Sequence, residues 1–350
     1  MSNRAQRTLI RAAEDRRTQI AAGTVAVAGA ALAGKAGVER LRENGGSNAG
    51  PSRAYRLRSK EKPKSGIRRI ARGQAADALE QLQNADAAAV HEARKDLKKL
   101  RSLLRLVRDQ LGDGIYRAEN RRFQEAGRRL SAARDAEVKL ETLEGLQERF
   151  GEQLQGQGLK PFHRVLTEER AATAEALEAN VGPVAESAME IEEGRKRIRS
   201  WPLQANGWDL VGPGLVRLYR RGRRRFKEAQ ATPTAENVHE WRKRVKDLWY
   251  HLRILRDTWP AVVGPAADQA HELSDLLGDH HDLAVLADDA RTRRQLFGES
   301  GDAKVLLKLT ARRQKELLRQ AIELGSRLYA EKPKAFGRRL RGYWLASRPR

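Results

Sequence analysis

Apolar residues recur every three or four positions through most of the chain, which is the spacing of an amphipathic α-helix. The segment VHEARKDLKKLRSLLRLVRD, residues 90–109, shows this spacing most clearly. At 100° per residue, its apolar side chains fall on one arc, which predicts a buried face. These residues are Val90, Ala93, Leu97, Leu100, Leu104 and Val107. Ala, Leu, Arg and Glu are abundant and β-branched runs are few, so we predict an all-α fold.

The same segment returns as VHEWRKRVKDLWYHLRILRD, residues 238–257, at an offset of 148 and with 11 of 20 positions identical. Its apolar arc includes Trp241, Leu248 and Leu252. A weaker repeat at an offset of 147 aligns LSAARDAEV, residues 130–138, with LGDHHDLAV, residues 277–285. The nearly constant offset indicates that whole halves were duplicated. We therefore predict a first half over 55–183, a second half over 184–350 and a separate segment over 1–54.

Turn residues and prolines predict where the other helices begin and end. We expect LGDG, residues 111–114, to end the first repeated helix, and residues 115–149 to form one long helix. ATPTAEN before the second copy supplies a proline and polar caps. The remaining helices are predicted over 66–84, 161–180, 184–200, 214–230, 265–296 and 302–329, followed by a basic tail helix.

Basic residues run beside the apolar arc at alternating spacings of three and four. In the first copy they are His91, Arg94, Lys98, Arg101, Arg105 and Arg108. In the second they are His239, Arg242, Lys246, Arg253 and Arg256, with Trp249 replacing one cation. A third stripe comprises Lys304, Lys308, Arg312, Lys315 and Arg319. Cations in a line repel one another, and an ordered polyanion would relieve that repulsion; a solvated charged face is the alternative.

The overall charge extends this argument to the whole chain. Its 350 residues include 69 Lys and Arg against 46 Asp and Glu, for a net charge of +23. An excess of this size indicates an anionic partner, such as nucleic acid, an anionic membrane or a phosphate polymer. The chain has no cysteine, which excludes disulfide and thiolate chemistry and fits a cytoplasmic location.

The segment 1–54 differs from the rest of the chain. It contains IAAGTVAVAGAALAG, residues 20–34, an Ala/Gly-rich stretch that is shorter than the roughly 20 strongly apolar residues of a spanning helix. We interpret it as a weak or interfacial helix that contacts a membrane or a granule surface. Residues 43–53, ENGGSNAGPSR, predict a flexible linker.

Catalytic motifs are missing from the sequence. It has no P-loop, no dinucleotide-binding glycine motif and no nucleophile elbow, and its carboxylates alternate with basic residues. We therefore predict a non-enzymatic protein without a cofactor. Asp279, His280, His281 and Asp282 have the chemistry of metal ligands, but their spacing favours the polar face of a structural helix, so no metal site is predicted.

Three features together resemble the CHAD domain, the conserved histidine α-helical domain. They are the doubled H-x-x-R helix with its following Lys and Arg residues, the R-D or H-D-x-x-V segment downstream, and the ending RLYAEKPKAFGRRLRGYW. The resemblance covers about residues 55–345. It implies two pseudo-symmetric four-helix bundles with a basic groove between them. It also implies binding of inorganic polyphosphate, in some members at polyphosphate or polyhydroxyalkanoate granules.

The resemblance also implies ligand residues, carried over by position. They are His91, Arg94, Lys98, Lys99, Arg101, His239, Arg242 and Lys246. To these polyphosphate-binding residues we add cations of the predicted helices: Arg69, Arg72, Arg105, Arg134, Arg217, Arg220, Arg253, Lys308 and Arg312. The chain departs from the family pattern at Asp247 and Trp249, where a basic residue is usual. We therefore expect the second site to be weaker than the first.

Two alternatives to polyphosphate binding remain open at this point. A basic surface binds nucleic acid nonspecifically through phosphates, although single-strand binders add exposed aromatic residues and aromatics are only 5% here. A groove between paired bundles would also be too narrow for a duplex about 20 Å across. A structural coat protein of granules or membranes would depend on residues 20–34 and would need no selective site.

Overall fold

The structure, a computed structural model, describes residues 55–83, 87–179 and 182–348, apart from the side chains of residues 132–134 and 178. The segment 1–54, with the predicted surface contact at 20–34, lies outside the described residues. Within the described ranges the chain forms eleven α-helices and five short 3-10 helices, and no strand. The predicted all-α fold is confirmed. None of the described helices is long and apolar enough to span a membrane.

The helices follow one another through short connections. In chain order they are α1 Pro63–Leu82, α2 Ala87–Leu106, α3 Arg108–Arg129, α4 Ala132–Phe150, α5 Leu159–Ala179, α6 Gly182–Arg197, α7 Gly212–Ala231, α8 Ala235–Ile254, α9 Pro260–Thr292, α10 Asp302–Leu328 and α11 Pro333–Ala346.

Prolines and one polar cap mark several helix starts. Helices α1, α7, α9 and α11 each have a proline in their first two positions, where its missing N–H is not needed by the helix. Before α8, the Thr234 hydroxyl accepts a hydrogen bond from the Asn237 N–H, at 3.1 Å. Such a cap satisfies one of the free donors of the first turn, and it confirms the predicted helix entry.

Helices α1, α2, α3 and α6 form a first bundle, in which each helix packs against two others. All six residues of the arc predicted on the first repeated helix are buried in its core. Each side chain of this kind contributes about 1.5–3 kcal/mol when it is fully removed from water. The residues beside this arc are therefore held in a fixed orientation.

Helices α7, α8, α9 and α10 form a second group, and α11 packs on α7. The predicted core positions Trp241, Leu248 and Leu252 are buried here. Phe336 of α11 stacks on Tyr219 of α7, with ring centroids 3.9 Å apart. The second repeated helix therefore has a buried apolar arc like the first.

The α4–α5 hairpin belongs to the first half in sequence but packs against α9 and α10. These four helices share a second apolar cluster, which includes Leu143 and Phe162 from the hairpin and Leu286 and Leu306 from the long helices. Helix α6 belongs to the predicted second half in sequence but packs in the first bundle. The predicted boundary at 183/184 places it in the second half, and the structure packs it on α1 and α3. The division of the chain into halves and their pseudo-symmetry stay predictions.

Two helix boundaries differ from the prediction. The first repeated helix ends at Leu106 rather than at LGDG, and α3 begins at Arg108. Gly112 bends α3 with φ 73° and ψ 158°, a backbone conformation that favours glycine. The long helix predicted over 115–149 is two helices, which separate at Leu130 and Ser131.

The two ends of the described fold lie against each other. Leu57 N–H donates to the Ile254 carbonyl at the end of α8, at 2.9 Å. Arg348 donates to the Glu61 carbonyl at 2.9 Å, and its guanidinium lies 4.0 Å from the centroid of the Trp344 ring. The last turn of the chain therefore supports the segment that leads into α1.

Candidate functional site

Five basic residues of α2 form one stripe, named here the α2 stripe. They are His91, Arg94, Lys98, Arg101 and Arg105. Arg94 donates to the Ser131 carbonyl at 3.2 Å. Arg101 donates to the side-chain oxygens of Asn120 and Gln124 on α3, at 3.2 and 3.0 Å. These hydrogen bonds orient the two guanidinium groups.

Arg108, the sixth cation in the predicted line, belongs to α3 and not to α2. It forms an ion pair with Asp113 at 2.8 Å. The helix break at Val107 separates it from the stripe. The continuous part of the α2 stripe therefore ends at Arg105.

At Arg105 the α2 stripe meets a buried carboxylate of the second half. Arg105 lies 3.0 Å from Asp247 of α8, and Arg244, one turn earlier on α8, lies 2.8 Å from the other oxygen of the same carboxylate. Asp247 is only 3% exposed. Burial alone would raise the pKa of Asp247, but Arg105 and Arg244 hold it below its usual value.

A short polar network extends this contact between α2 and α8. The Ser102 hydroxyl donates to Asp247 at 3.1 Å, and His251 Nε2 lies 2.9 Å from the Ser102 carbonyl oxygen. His251 is fully buried, and burial lowers its pKa to about 4. His251 is therefore neutral at pH 7, and Asp247 is the buried anion of this network.

Five guanidinium groups from three helices surround this contact and are named here the central basic cluster. They are Arg101, Arg105, Arg217, Arg221 and Arg244. Arg217 of α7 donates to the Arg105 carbonyl at 2.7 Å and forms an ion pair with Asp109. Burial, and then the charge of Arg105, lowers the pKa of Arg101 to about 10. Burial, and then Arg244, lowers the pKa of Arg221.

The charge balance of the central basic cluster is positive. Its five guanidinium groups are paired with two carboxylates, Asp247 and Asp109, which leaves three positive charges. Burial is the main cause of the lowered pKa values of Arg101 and Arg221, and the charges of Arg105 and Arg244, respectively, lower them further. A polyanion that binds here would exchange the repulsion among these charges for attraction.

The second stripe lies over α9. His239 faces His281 of α9, with ring centroids 4.2 Å apart. Arg253 lies over the rings of Trp249 and Tyr55, 5.4 and 5.6 Å from their centroids. Trp249, which replaces a cation, is buried. His239 and Arg253 of α8 therefore lie against other rings, whereas Arg101 and Arg105 of α2 lie against α3 and Asp247.

Asp247 differs in charge from the aligned residue of the first repeat for a structural reason. Position 247 aligns with Lys99, and position 244 aligns with Asp96. Lys99 pairs with Asp96 at 2.8 Å, and Arg244 pairs with Asp247 at 2.8 Å. Each half therefore has one acid–base pair at these two positions, with the order of the charges reversed. The expectation of a weaker second site stays a prediction.

Other predicted ligand residues lie apart from the central basic cluster. Arg69 is held by Glu61 at 2.7 Å, and Arg72 is a half-buried residue of α1. Arg220 is not one of the five cations of the cluster, although it lines a pocket with Arg217 and Arg341. Lys308 and Arg312 are exposed on α10. Lys246 is half-buried on α8. The side chain of Arg134 lies outside the described residues. Their role as ligands stays a prediction.

Two cations of the central basic cluster, Arg221 and Arg244, were missed by the sequence prediction. Arg221 is one helical turn after Arg217, on the same flank of α7. It belongs to the run RRGRRR, which places arginines on several sides of the helix, so the sequence alone does not single out Arg221. Arg244 is 8% exposed and aligns with an acidic residue of the first half. Its contribution depends on the packing of α8 against α2, which periodicity does not provide.

The histidines of α9 form no metal centre. Within the described ranges, no group of three or more His, Cys, Asp or Glu side chains is arranged to hold a metal ion. His280 is buried, and its carbonyl accepts a hydrogen bond from Gln314 at 3.1 Å. His281 points to His239 instead.

The fold and the site define an all-helical protein with cations gathered where its two repeated helices meet. A family model described as the CHAD domain matches residues 69–291, more than half of the chain. The protein therefore belongs to the CHAD-domain family, which confirms the resemblance seen in the sequence. The CHAD domain is linked to polyphosphate binding. No curated protein matches the chain significantly.

Proposed function

We propose that the protein binds inorganic polyphosphate, without catalysis, at the central basic cluster and along the α2 stripe. The observation that carries the proposal is the convergence of guanidinium groups from α2, α7 and α8 around one buried carboxylate. A flexible chain of phosphates supplies a negative charge at every unit and can follow a line of cations. Guanidinium groups bind phosphate oxygens through paired hydrogen bonds, which favours this type of ligand.

The Ser102, His251 and Asp247 side chains do not argue against a non-catalytic role. Ser102 lies within hydrogen-bond distance of both His251 and Asp247, the residue types of some hydrolase sites. However, Ser102 and His251 are 0% exposed, so no substrate reaches the hydroxyl. In a catalytic triad the carboxylate holds the histidine and the histidine accepts the proton of the nucleophile. Here the Ser102 hydroxyl donates to Asp247 instead.

A binding comparison tests the proposed ligand. Long-chain polyphosphate, single-stranded DNA and duplex DNA are titrated at physiological salt and at equal phosphate concentration. We expect polyphosphate to bind most tightly, because the cations are arranged along a helix flank and the aromatic residues nearby are buried. Equal or tighter binding of duplex DNA would contradict the proposal and favour nonspecific nucleic-acid binding.

Substitutions locate the site. Replacing Arg94, Lys98 and Arg101 together by Ala should weaken polyphosphate binding at least tenfold and make its salt dependence shallower, since charge-assisted contacts contribute roughly 1.5–3 kcal/mol each when desolvated. The variant R242A/K246A should lose less polyphosphate affinity than this triple variant.

The matched control for this triple variant removes three exposed charges from α10 that are not among the predicted ligands, as K304A/K315A/R319A. It changes the net charge equally and should bind nearly as well as the parent. If the two triple variants lose the same affinity, binding depends only on net charge, and the α2 stripe is a solvated surface.

Association with a granule or membrane is a separate proposal that rests on residues 20–34. We expect deletion of residues 1–50 to move the protein into the soluble fraction of a cell extract while polyphosphate affinity is retained. An unchanged distribution between pellet and supernatant would remove both the surface contact and the idea of a coat protein.

A further inference from the structure

The start of α8 and the middle of α9 bring two imidazoles and a guanidinium together. The rings of His239 and His281 lie 4.2 Å apart and are tilted by 35°. Arg242, about one turn after His239, lies against Gly278, and a Cβ at that glycine would be 3.1 Å from its terminal nitrogen. Within the described part of the chain, His239 Nδ1 and Arg242 Nε are buried without a hydrogen-bond partner.

We propose that His239, His281 and Arg242 form a phosphate subsite, named here the α8–α9 subsite, which takes up a proton when a phosphate group occupies it. The inference rests on the proposed function and adds His281 to the ligands. The absence of a Cβ at Gly278 leaves room for the Arg242 guanidinium next to the two rings. Half-exposed rings at this position can be reached by a polyanion that follows the α8 stripe.

Proton uptake follows from the chemistry of imidazole. A neutral ring has one donor and one acceptor nitrogen, whereas a protonated ring donates from both, as phosphate oxygens require. Burial, and then Lys243 and Arg242, lowers the pKa of His239. Burial, and then His239 and Arg242, lowers the pKa of His281 to about 4. The empty pair is therefore neutral at pH 7, and a bound phosphate raises both pKa values by supplying negative charge.

The neighbouring charges are largely compensated. Glu240, on the same helix as His239, pairs with Lys243 and lies 4.0 Å from Arg225 of α7. On α9, burial and the charge of Asp282 raise the pKa of Asp279 to about 6, while Arg313 of α10 and Arg242 lower it. His280, also on α9, is buried, which lowers its pKa. Asp279 and His280 are neighbouring groups that could also take up a proton beside a polyanion, so the experiment must separate them from His239 and His281.

Calorimetric titration of the full-length protein with long-chain polyphosphate, at about pH 6 in buffers of different ionisation enthalpy, measures this uptake. We expect about one proton per occupied subsite and an affinity that rises up to about tenfold for each unit of decreasing pH. The variants H239Q and H281Q should still bind through the central basic cluster but take up no proton there. D279N and the surface control H163Q should keep the uptake.

A second measurement follows the parent protein directly. The ring resonances of His239 and His281 in NMR spectra should titrate at higher pH with polyphosphate than without it. Binding without proton uptake, uptake that persists in both histidine variants, or uptake lost only in D279N would each overturn the subsite and leave the proposed function intact. If the parent protein binds no polyphosphate, the proposed function fails and the subsite fails with it.

Discussion

Asp247 is a buried negative charge among the guanidinium groups of the central basic cluster, and its surroundings explain why it is there. Its carboxylate is the shared counter-ion of Arg105 from the first half and Arg244 from the second. A buried charge is tolerated when it is paired and hydrogen-bonded, and Ser102 supplies a further donor. Asp247 therefore connects the two repeated helices and also limits the positive charge of the central basic cluster.

The variant D247N removes this counter-ion while keeping the side-chain volume. We expect it to lower the free energy of unfolding by ~3–5 kcal/mol, because two buried or half-buried guanidinium groups lose their carboxylate. Urea denaturation followed by circular dichroism measures the change. D113N is the control, since Asp113 is an exposed partner of Arg108 and Arg117, and its midpoint should hardly move. A D247N protein as stable as the parent would show that the ion pairs do not support the fold.

At the scale of elements, the start of α7 is held against the end of α2. A Cβ added at Gly214 would overlap the carbonyl oxygen of Leu106, and Arg217 donates to the carbonyl of Arg105 nearby. The last carbonyls of α2 thus receive partners from α7, as helix ends require. This contact fixes the distance between the α2 stripe and the cations of α7.

Gly214→Ala should therefore be destabilising, by about 1–3 kcal/mol, because the obstructing atom belongs to the backbone and cannot rotate away. It should also weaken polyphosphate binding by displacing Arg217 and Arg221. Gly145→Ala in α4 is the matched control. Nothing lies within 4 Å of its added Cβ, so it should stabilise by about 0.5–1 kcal/mol through helix propensity. Thermal unfolding of both variants decides whether the close approach is real.

Periodicity predicted the elements better than their contacts. The apolar arc of α2 was predicted residue by residue, because burial of one helix face follows from a spacing of 3.6. Arg220 was predicted as a ligand and Arg221 was not, although only Arg221 joins the central basic cluster. The two differ by 100° around α7, and only the packing of α7 against α8 decides which flank faces the site. The break at Ser131 was missed because no proline or glycine marks it.

On the scale of the whole molecule, the two halves depend on each other. The α4–α5 hairpin buries Leu143 and Phe162 against α9 and α10 rather than against its own bundle. The contact of Asp247 with Arg105 joins the halves a second time. Neither half therefore has a complete apolar core by itself, even though the sequence repeats.

Scanning calorimetry should show one cooperative unfolding transition for residues 55–348, with calorimetric and van 't Hoff enthalpies that agree. The reason is that loss of the second half would expose the apolar face of the hairpin. Phe162→Ala, in the shared cluster, should lower the midpoint of that single transition. Two separate transitions, of which only one moves in the variant, would mean that the halves fold independently.

The contact between Arg348 and the segment before α1 makes the order of synthesis matter. The Glu61 carbonyl receives its partner from a residue 287 positions later, so this support cannot form until Arg348 has been synthesised. Domains usually fold as they emerge, the N-terminal parts first, and α1 must wait longest for its last neighbour. A product that stops before α11 lacks both the Phe336 stacking on Tyr219 and the Arg348 contact. Incomplete chains are thereby left open at their beginning, where proteases can recognise and remove them.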